Sequence, residues 1–452
     1  MMFFQWFEKI IINSADLLWN GPILIFVLLG GGIVMLFYSR LVPFKYIFHS
    51  INIIKERHSK SEIGKITLFQ SINTQIGTIV GLGNISGVAI AIVTGGPGAI
   101  FWMWVTAFFG MITKFYTCSL AIMYRGKDSE GNYQGGPMYV IKQGLGKKWN
   151  FLSIIFCFFG LFGVSPIFQA NQIVKITNSV LLNNSASSNY YHNFLLGLFF
   201  SFLVSLVIFG GIKRIGKVAS KLVPFMVIIY MISVFYIILL NYNLFIPVIK
   251  LIITDAFSAN SVLGGAVGSL ILIGARRAAF SNEAGVGTSP IIHSASKNNN
   301  PIKEGLVAMI GPFIDTIIVC TLTAFCILIS GFWRLEDISG IELVLLSFED
   351  SIPFFGKYIL FSCTIIFALT TLFGNSYFGE RCLSYLIGEK FSHYYRYFYI
   401  LLIIIGSIVT LDLVISIIDL SYGIMIFPTM ISTLLLMPKI NRLSIKYFQK
   451  IK

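Results

Sequence analysis

Four glycines and one asparagine mark where chemistry could happen in this chain: Gly77, Gly81, Gly83 and Gly87, with Asn84 between the last two. They lie in residues 71–98, SINTQIGTIVGLGNISGVAIAIVTGGPG, a stretch apolar enough to enter a membrane. Glycine costs about 1 kcal/mol relative to alanine in a helix interior. Such a run predicts a helix that breaks at mid-membrane and offers bare backbone. A second stretch, from Gly264, reads GGAVGSLILIGARRAAFSNEAGVGTSP. It holds Arg276, Arg277 and Glu283 where each charge costs about 2.5–3.5 kcal/mol on insertion scales, with Gly274, Ser281, Asn282, Gly285 and Gly287 around them. This is a second interrupted helix. A half-helix N-terminus at mid-membrane carries about +0.5 charge and free N–H groups, which suit a carboxylate. A half-helix C-terminus offers free carbonyls, which suit an ammonium group or Na⁺. A molecule with both groups close together is an amino acid, so two breaks favour a zwitterionic substrate and a small cation.

The elements that must position these residues follow from composition. The chain has 452 residues, 56% hydrophobic and 12% charged, against about 25% charged in soluble domains. It reads as an all-α polytopic membrane protein. A span needs about 20 apolar residues. Candidates lie at 21–38, 70–94, 98–124, 151–177, 192–211, 222–247, 262–292, 304–331, 356–388, 396–411 and 414–437, which gives 11 transmembrane helices. The net charge of +14 belongs to loops that stay cytoplasmic rather than to a nucleic-acid surface. The first loop carries Arg40, Lys45, Lys55, Arg57, Lys60 and Lys65; the outside loop NSVLLNNSASSNYYH has no Lys or Arg, and the loop after 331 is acidic, with Glu336 and Asp337. This alternation predicts an N-terminus outside and a C-terminus in the cytoplasm. With the first span set aside, the interrupted helices are first and sixth of ten, the pointer to an inverted 5+5 repeat. The division is then 1–69 (an extra N-terminal helix and basic loop), 70–250 and 251–437 (two five-helix repeats) and 438–452 (a basic tail).

Several strings together resemble the alanine or glycine:cation symporter family (sodium:alanine symporter type) of the amino acid-polyamine-organocation superfamily. They are VGLGNISGVAIAIVTGGPGAIFWMWVTAFFGMITKF, YQGGPMYVI, FSNEAGVGTSPIIHSASK, GLVAMIGPFIDTIIVCTLTA and TTLFGNSYFGERCLSYLIG. The resemblance implies the leucine-transporter-type fold and sodium- or proton-coupled uptake of a small neutral amino acid. Carried over by motif, it implies that Gly83 and Asn84 hold substrate from the first break, Phe280 and Asn282 from the second, and Thr371 from the eighth core helix. Thr370 and Thr371, with backbone carbonyls near Thr78–Gly81, would ligate Na⁺. Two positions depart from the pattern. Asn375 in GNSY stands where many relatives carry Trp, and Leu82 stands where many carry a small polar residue. Losing a large ring enlarges or polarises the pocket, so Asn375 joins the expected substrate site, and glutamine joins alanine and glycine as a candidate substrate.

Other signals take plainer readings. GLGNISG misses the dinucleotide fingerprint because the third glycine comes one place late. Glu283 could be a proton or cation site, but the expectation is a structural partner of Arg276 or Arg277, since a buried charge needs one. Asp315 could join that network or cap a cavity. Glu380 and Arg381 are adjacent and should face different sides as anchors. Trp102 and Trp104 read as packing residues, the five histidines (His293 included) show no ligand spacing, and the six cysteines read as small buried hydrophobes. No cleavable signal peptide, catalytic dyad or G-x-x-x-x-G-K-[ST] loop is visible. The expectation is a monomeric, non-enzymatic symporter in a bacterial cell (inner) membrane, with no cofactor, no ATP, no nucleic acid and no metal other than Na⁺. The rivals are an ion-independent exchanger and a channel.

Overall fold

The structure, a computed structural model, describes residues 2–55, 64–181, 190–258, 266–335, 338, 340–409 and 411–451. Arg57, Lys60, residues 182–189 of the uncharged loop, Gly264, Glu336 and Asp337 lie outside the described residues. The molecule is almost entirely helical. Helix α1 (Met2–Asn20) bends by 56° into α2 (22–39). The sequence reading began only at 21, because Glu8, Lys9, Asn13 and Asp16 dilute the apolar signal of an amphipathic helix.

The first expected break is present. Helix α3 (Leu68–Ile79) opens on a capping box, in which the Thr67 hydroxyl accepts from the Gln70 N–H at 3.2 Å and Gln70 Oε1 accepts from the Thr67 N–H at 3.0 Å. These bonds satisfy two helix-end donors reciprocally. α3 stops at Val80, a single 3₁₀ turn covers Leu82–Asn84, and α4 (Ser86–Gly95) continues at 52° to it. Helix α5 (Ala99–Met123) follows. The expected span 151–177 lies within one candidate span, Lys147–Leu181, which is made of two helices, α6 (Asn150–Gly163) and α7 (Ile167–Leu181), joined through Val164, Ser165 and Pro166. Then come α8 (Tyr190–Ile208), α9 (Gly211–Leu240) and α10 (Phe245–Ala256).

The second break divides α11 (Ala266–Asn282) from α12 (Thr288–Ser294). Glu283 (φ 54°), Gly285 (φ 83°) and Gly287 (φ 103°) all take left-handed backbone there. Glycine does so freely and glutamate at a cost, so the two glycines carry most of the reversal. The chain ends with α13 (Pro301–Ser330), α14 (Ile341–Ser351), α15 (Gly356–Ile387), α16 (Tyr394–Gly406) and α17 (Leu411–Gln449).

Seven of the described helices are long and apolar enough to cross a membrane, or nine if each of two bent pairs is one span. Length alone therefore does not reach the expected eleven. The span expected at 262–292 is cut by its break into pieces of 17 and 7 residues, and the span at 396–411 is a 13-residue helix. α3 packs on α9 and α15, and α5 packs on α11, α12 and α13. The start of α3 is tied to the end of α12 by backbone hydrogen bonds from Lys65 to Ala295 (2.8 Å) and from Lys297 to Ile66 (2.8 Å). The two broken helices are thus fastened together at one end.

Candidate functional site

A narrow cavity lies where the breaks meet. Thr78 and Gly83 line it from the first break, Phe280 and Glu283 from the second, and Thr371 and Asn375 from α15. Ser165, Phe168 and Gln169 of the α6–α7 break and Ile418 and Tyr422 of α17 complete the wall. Phe280 and Phe168 meet edge to face at 5.0 Å between centroids and close one side.

The glycines of the first break serve close approach. A Cβ on Gly81 would stand 2.4 Å from Thr371 Oγ1, one on Gly83 3.2 Å from the Phe280 ring, and one on Gly374 2.0 Å from Thr78 Oγ1. α3 and α15 therefore press together through a glycine on each side. A helix end leaves carbonyls without intrahelical partners; here the Gly77 carbonyl accepts from the Thr371 hydroxyl at 3.2 Å. Asn84 folds back on the break. Its Oδ1 accepts from the Gly81 N–H at 3.0 Å, and its Nδ2 donates to Asp315 Oδ1 at 2.7 Å and to the Asp315 carbonyl at 3.1 Å.

Behind the second break, Asp315 Oδ2 accepts from the hydroxyls of Ser281 (2.7 Å) and Thr316 (2.8 Å). Asn282 Nδ2 donates to Thr316 Oγ1 at 2.9 Å, and Asn282 Oδ1 accepts from the Ala284 N–H at 2.9 Å. Glu283 does not partner an arginine, contrary to the sequence reading. Its carboxylate accepts from the hydroxyls of Thr288 and Tyr422. Arg276 and Arg277 turn instead to Asp419, at 2.7 and 3.0 Å, and Arg276 also reaches Asp16 at 3.0 Å. The helix runs unbroken through both arginines to Asn282, and Glu283, the first residue past it, is on left-handed backbone (φ 54°) and so leaves the helical register that the arginines follow. Lys114 Nζ, buried in α5, donates to Ser289 Oγ at 2.6 Å.

Of the residues expected at the site, Gly83, Phe280, Thr371, Asn375 and Thr78 meet around the cavity. Asn84, Asn282 and Gly81 stand one layer behind it, holding the breaks. Thr370 points away from it, its hydroxyl bonding within α15 and facing Met226 of α9. Sequence reasoning missed Ser165, Gln169 and Tyr422. The first two had a signal, a Gly-Val-Ser-Pro run inside an apolar stretch; Tyr422 had none. Two buried oxygens on this wall, Ser165 Oγ and Asn375 Oδ1, have no hydrogen-bond partner among the described residues.

Other expectations resolve nearby. All six cysteines are free and buried. Trp104 donates to Thr321 Oγ1 at 2.7 Å. Both ring nitrogens of buried His293 contact oxygens, Gln75 Oε1 and Glu304 Oε1, each at 2.6 Å. Glu380 and Arg381 do not diverge: they pair at 3.0 Å, with Arg396 on Glu380 at 2.6 Å and Arg381 on Glu389 at 3.0 Å. Long side chains converge on a shared buried partner even from adjacent positions.

The chain is 38% identical over 435 residues to the sodium/alanine symporter AgcS of Methanococcus maripaludis, covering 94% of each chain. It is 33% identical over 433 residues to the probable sodium/glutamine symporter GlnT of Bacillus subtilis (strain 168), covering 96% of this chain and 89% of the relative. In fold it is similar to the crystal structure of MhsT in complex with L-phenylalanine, a leucine-transporter-type transporter, with a TM-score of 0.56 at 16% identity, covering 81% of this chain and 89% of that one. The family model described as "Sodium:alanine symporter family" matches residues 4–452. The chain belongs to the sodium:alanine symporter family, whose members are cation-coupled amino acid transporters rather than enzymes.

Proposed function

We propose that this protein is a secondary active symporter that imports a small neutral amino acid, namely alanine, glycine or glutamine, together with Na⁺. The observation that carries the reading is the small cavity between two broken helices, with the hydroxyls of Thr78 and Thr371 on one side and Phe280 and Asn375 around the rest. Gly83, with Asn84 supporting it, presents the first break to the substrate carboxylate, and Phe280 and Asn282 shape the second. Na⁺ is a hard ion that takes oxygen ligands. Thr78, Thr371 and the carbonyls that end α3 are the oxygens offered; Thr370, in the same turn of α15, joins them only by giving up its hydrogen bond within that helix. Residues 70–250 and 251–437 act as two five-helix repeats of opposite orientation, and one bundle rocks against the other to expose the site alternately. The protein works as a monomer in a bacterial inner membrane, N-terminus outside and C-terminus in the cytoplasm.

Uptake of labelled alanine, glycine and glutamine into proteoliposomes tests this, with Na⁺ and H⁺ gradients imposed separately. Saturable accumulation driven by the Na⁺ gradient is the expected result. Transport indifferent to both gradients would leave exchange as the activity, and flux without saturation would mean a channel.

A further inference from the structure

Charge around the two breaks does not balance. Among the described residues, the buried ionisable groups that act on one another there are Lys114 from α5, Glu283 from the second break and Asp315 from α13, with the neutral Cys320 thiol beside Asp315, the Cys118 thiol beside Lys114 and the Tyr422 hydroxyl on Glu283. Arg276 and Arg277 are already matched by Asp16 and Asp419. With both carboxylates ionised, one positive charge faces two negative ones. Asp315 is 0% exposed and has no ion-pair partner among the described residues. An isolated carboxylate in such a place takes up a cation or a proton.

Resting on the symport reading above, we propose that Asp315 is a proton-binding site, and that the proton travels with the substrate as a coupling ion. The partners of Asp315 favour H⁺ over a metal ion. Asn84 is fixed by the Gly81 N–H, so it presents an N–H, not an oxygen, to Asp315 Oδ1. A metal ion finds no ligand there. On the Oδ2 side, the Ser281 and Thr316 hydroxyls are rotatable, and a hydroxyl both donates and accepts. A proton arriving from outside water bonds to Oδ2, and the Ser281 O–H that donated to Oδ2 rotates to accept from the new carboxylic acid. Release to inside water reverses both changes, and no other species is consumed. The site reaches both breaks, through Asn84 beside Gly81 and through Ser281 at the end of α11. It also sits in a π-helical stretch, Phe313–Cys320, a distortion frequent at functional sites.

The test uses the full-length protein in proteoliposomes that enclose a pH-sensitive dye, with equal Na⁺ on both sides and labelled alanine or glutamine outside. Addition of substrate is expected to acidify the lumen. Net uptake should fall about tenfold per pH unit on the alkaline limb, the slope of one required proton. Asp315→Asn should abolish acidification, and thermal stabilisation by substrate should lose its pH dependence in that variant. Uptake without acidification in the wild type, in this assay or under an imposed Na⁺ gradient, overturns the proposal, and needs no variant to fold. So does an Asp315→Asn variant that keeps its pH slope, or a Glu283→Gln variant that alone removes it. Absence of uptake under every gradient overturns the symport reading and this one with it.

Discussion

At the scale of single residues, the molecule separates those that face the cavity from those that hold the breaks open. Asn84 is of the second kind. Its replacement by alanine leaves the Gly81 N–H and Asp315 Oδ1 without partners, each worth about 1–3 kcal/mol when buried. Asn84→Ala should therefore cut uptake at least about tenfold, the equivalent of 1.4 kcal/mol, while membrane insertion stays normal; unchanged uptake would place the site elsewhere. Asn375 is of the first kind, 4% exposed with an unpartnered amide oxygen on the cavity wall. Asn375→Trp should fill that wall, so that glutamine competes about tenfold less well against labelled alanine. Equal competition before and after the change would remove Asn375 from substrate selection. Both asparagines were legible in the sequence, because an amide in an apolar run needs a reason. Which one faced the cavity was not, since that depends on where Asp315, 231 residues further on, meets the break.

At the scale of elements, the helices around the cavity are shaped by what their glycines allow. Gly81 and Gly374 each clear the space that a threonine of the facing helix fills, Thr371 in one direction and Thr78 in the other. Gly374→Ala would put a methyl group 2.0 Å from Thr78 Oγ1, and overpacking of this kind costs about 1–3 kcal/mol. The expected outcome is a lowered melting temperature in detergent together with lost uptake. Adding Thr78→Ser, which removes a methyl group and keeps the hydroxyl, should not restore either, because the clash is with the oxygen. Recovery in the double variant would show that the glycine is there for another reason. The two main breaks could be read from sequence because glycine, asparagine and paired charges are conspicuous in apolar runs. The α6–α7 break was passed over because Val164, Ser165 and Pro166 keep the hydropathy of the stretch high, and α1 because its apolar stripe is diluted by a polar face.

At the scale of the whole molecule, Asp419 is the knot. Its carboxylate holds both arginines of α11, and its backbone carbonyl accepts from Trp19 Nε1 at 2.9 Å, so α1, α11 and α17 meet there. Removing one partner of a buried ion pair costs about 3–5 kcal/mol. Asp419→Asn should lower the melting temperature and expose α1 to limited proteolysis; an unchanged digestion pattern would show that α1 is held by apolar packing instead. Sequence alone flagged the arginines and assigned them the wrong acid. A partner 143 residues away leaves no local trace, whereas a carboxylate six residues away is visible at once.

One further property follows from α17. At 39 residues and 1.5 Å per residue it is about 58 Å long, against a hydrocarbon thickness of about 30 Å. Its basic end, past Pro438, is strapped to the segment before α3 by a Tyr447–His49 hydrogen bond of 3.0 Å and a Phe448–Tyr46 ring stack at 4.2 Å. The helix that lines the cavity through Ile418 and Tyr422 is thereby also a gauge rod. Uptake in proteoliposomes is therefore expected to change with lipid acyl-chain length; equal uptake in thin and thick bilayers would show that the strap does not couple this helix to the membrane.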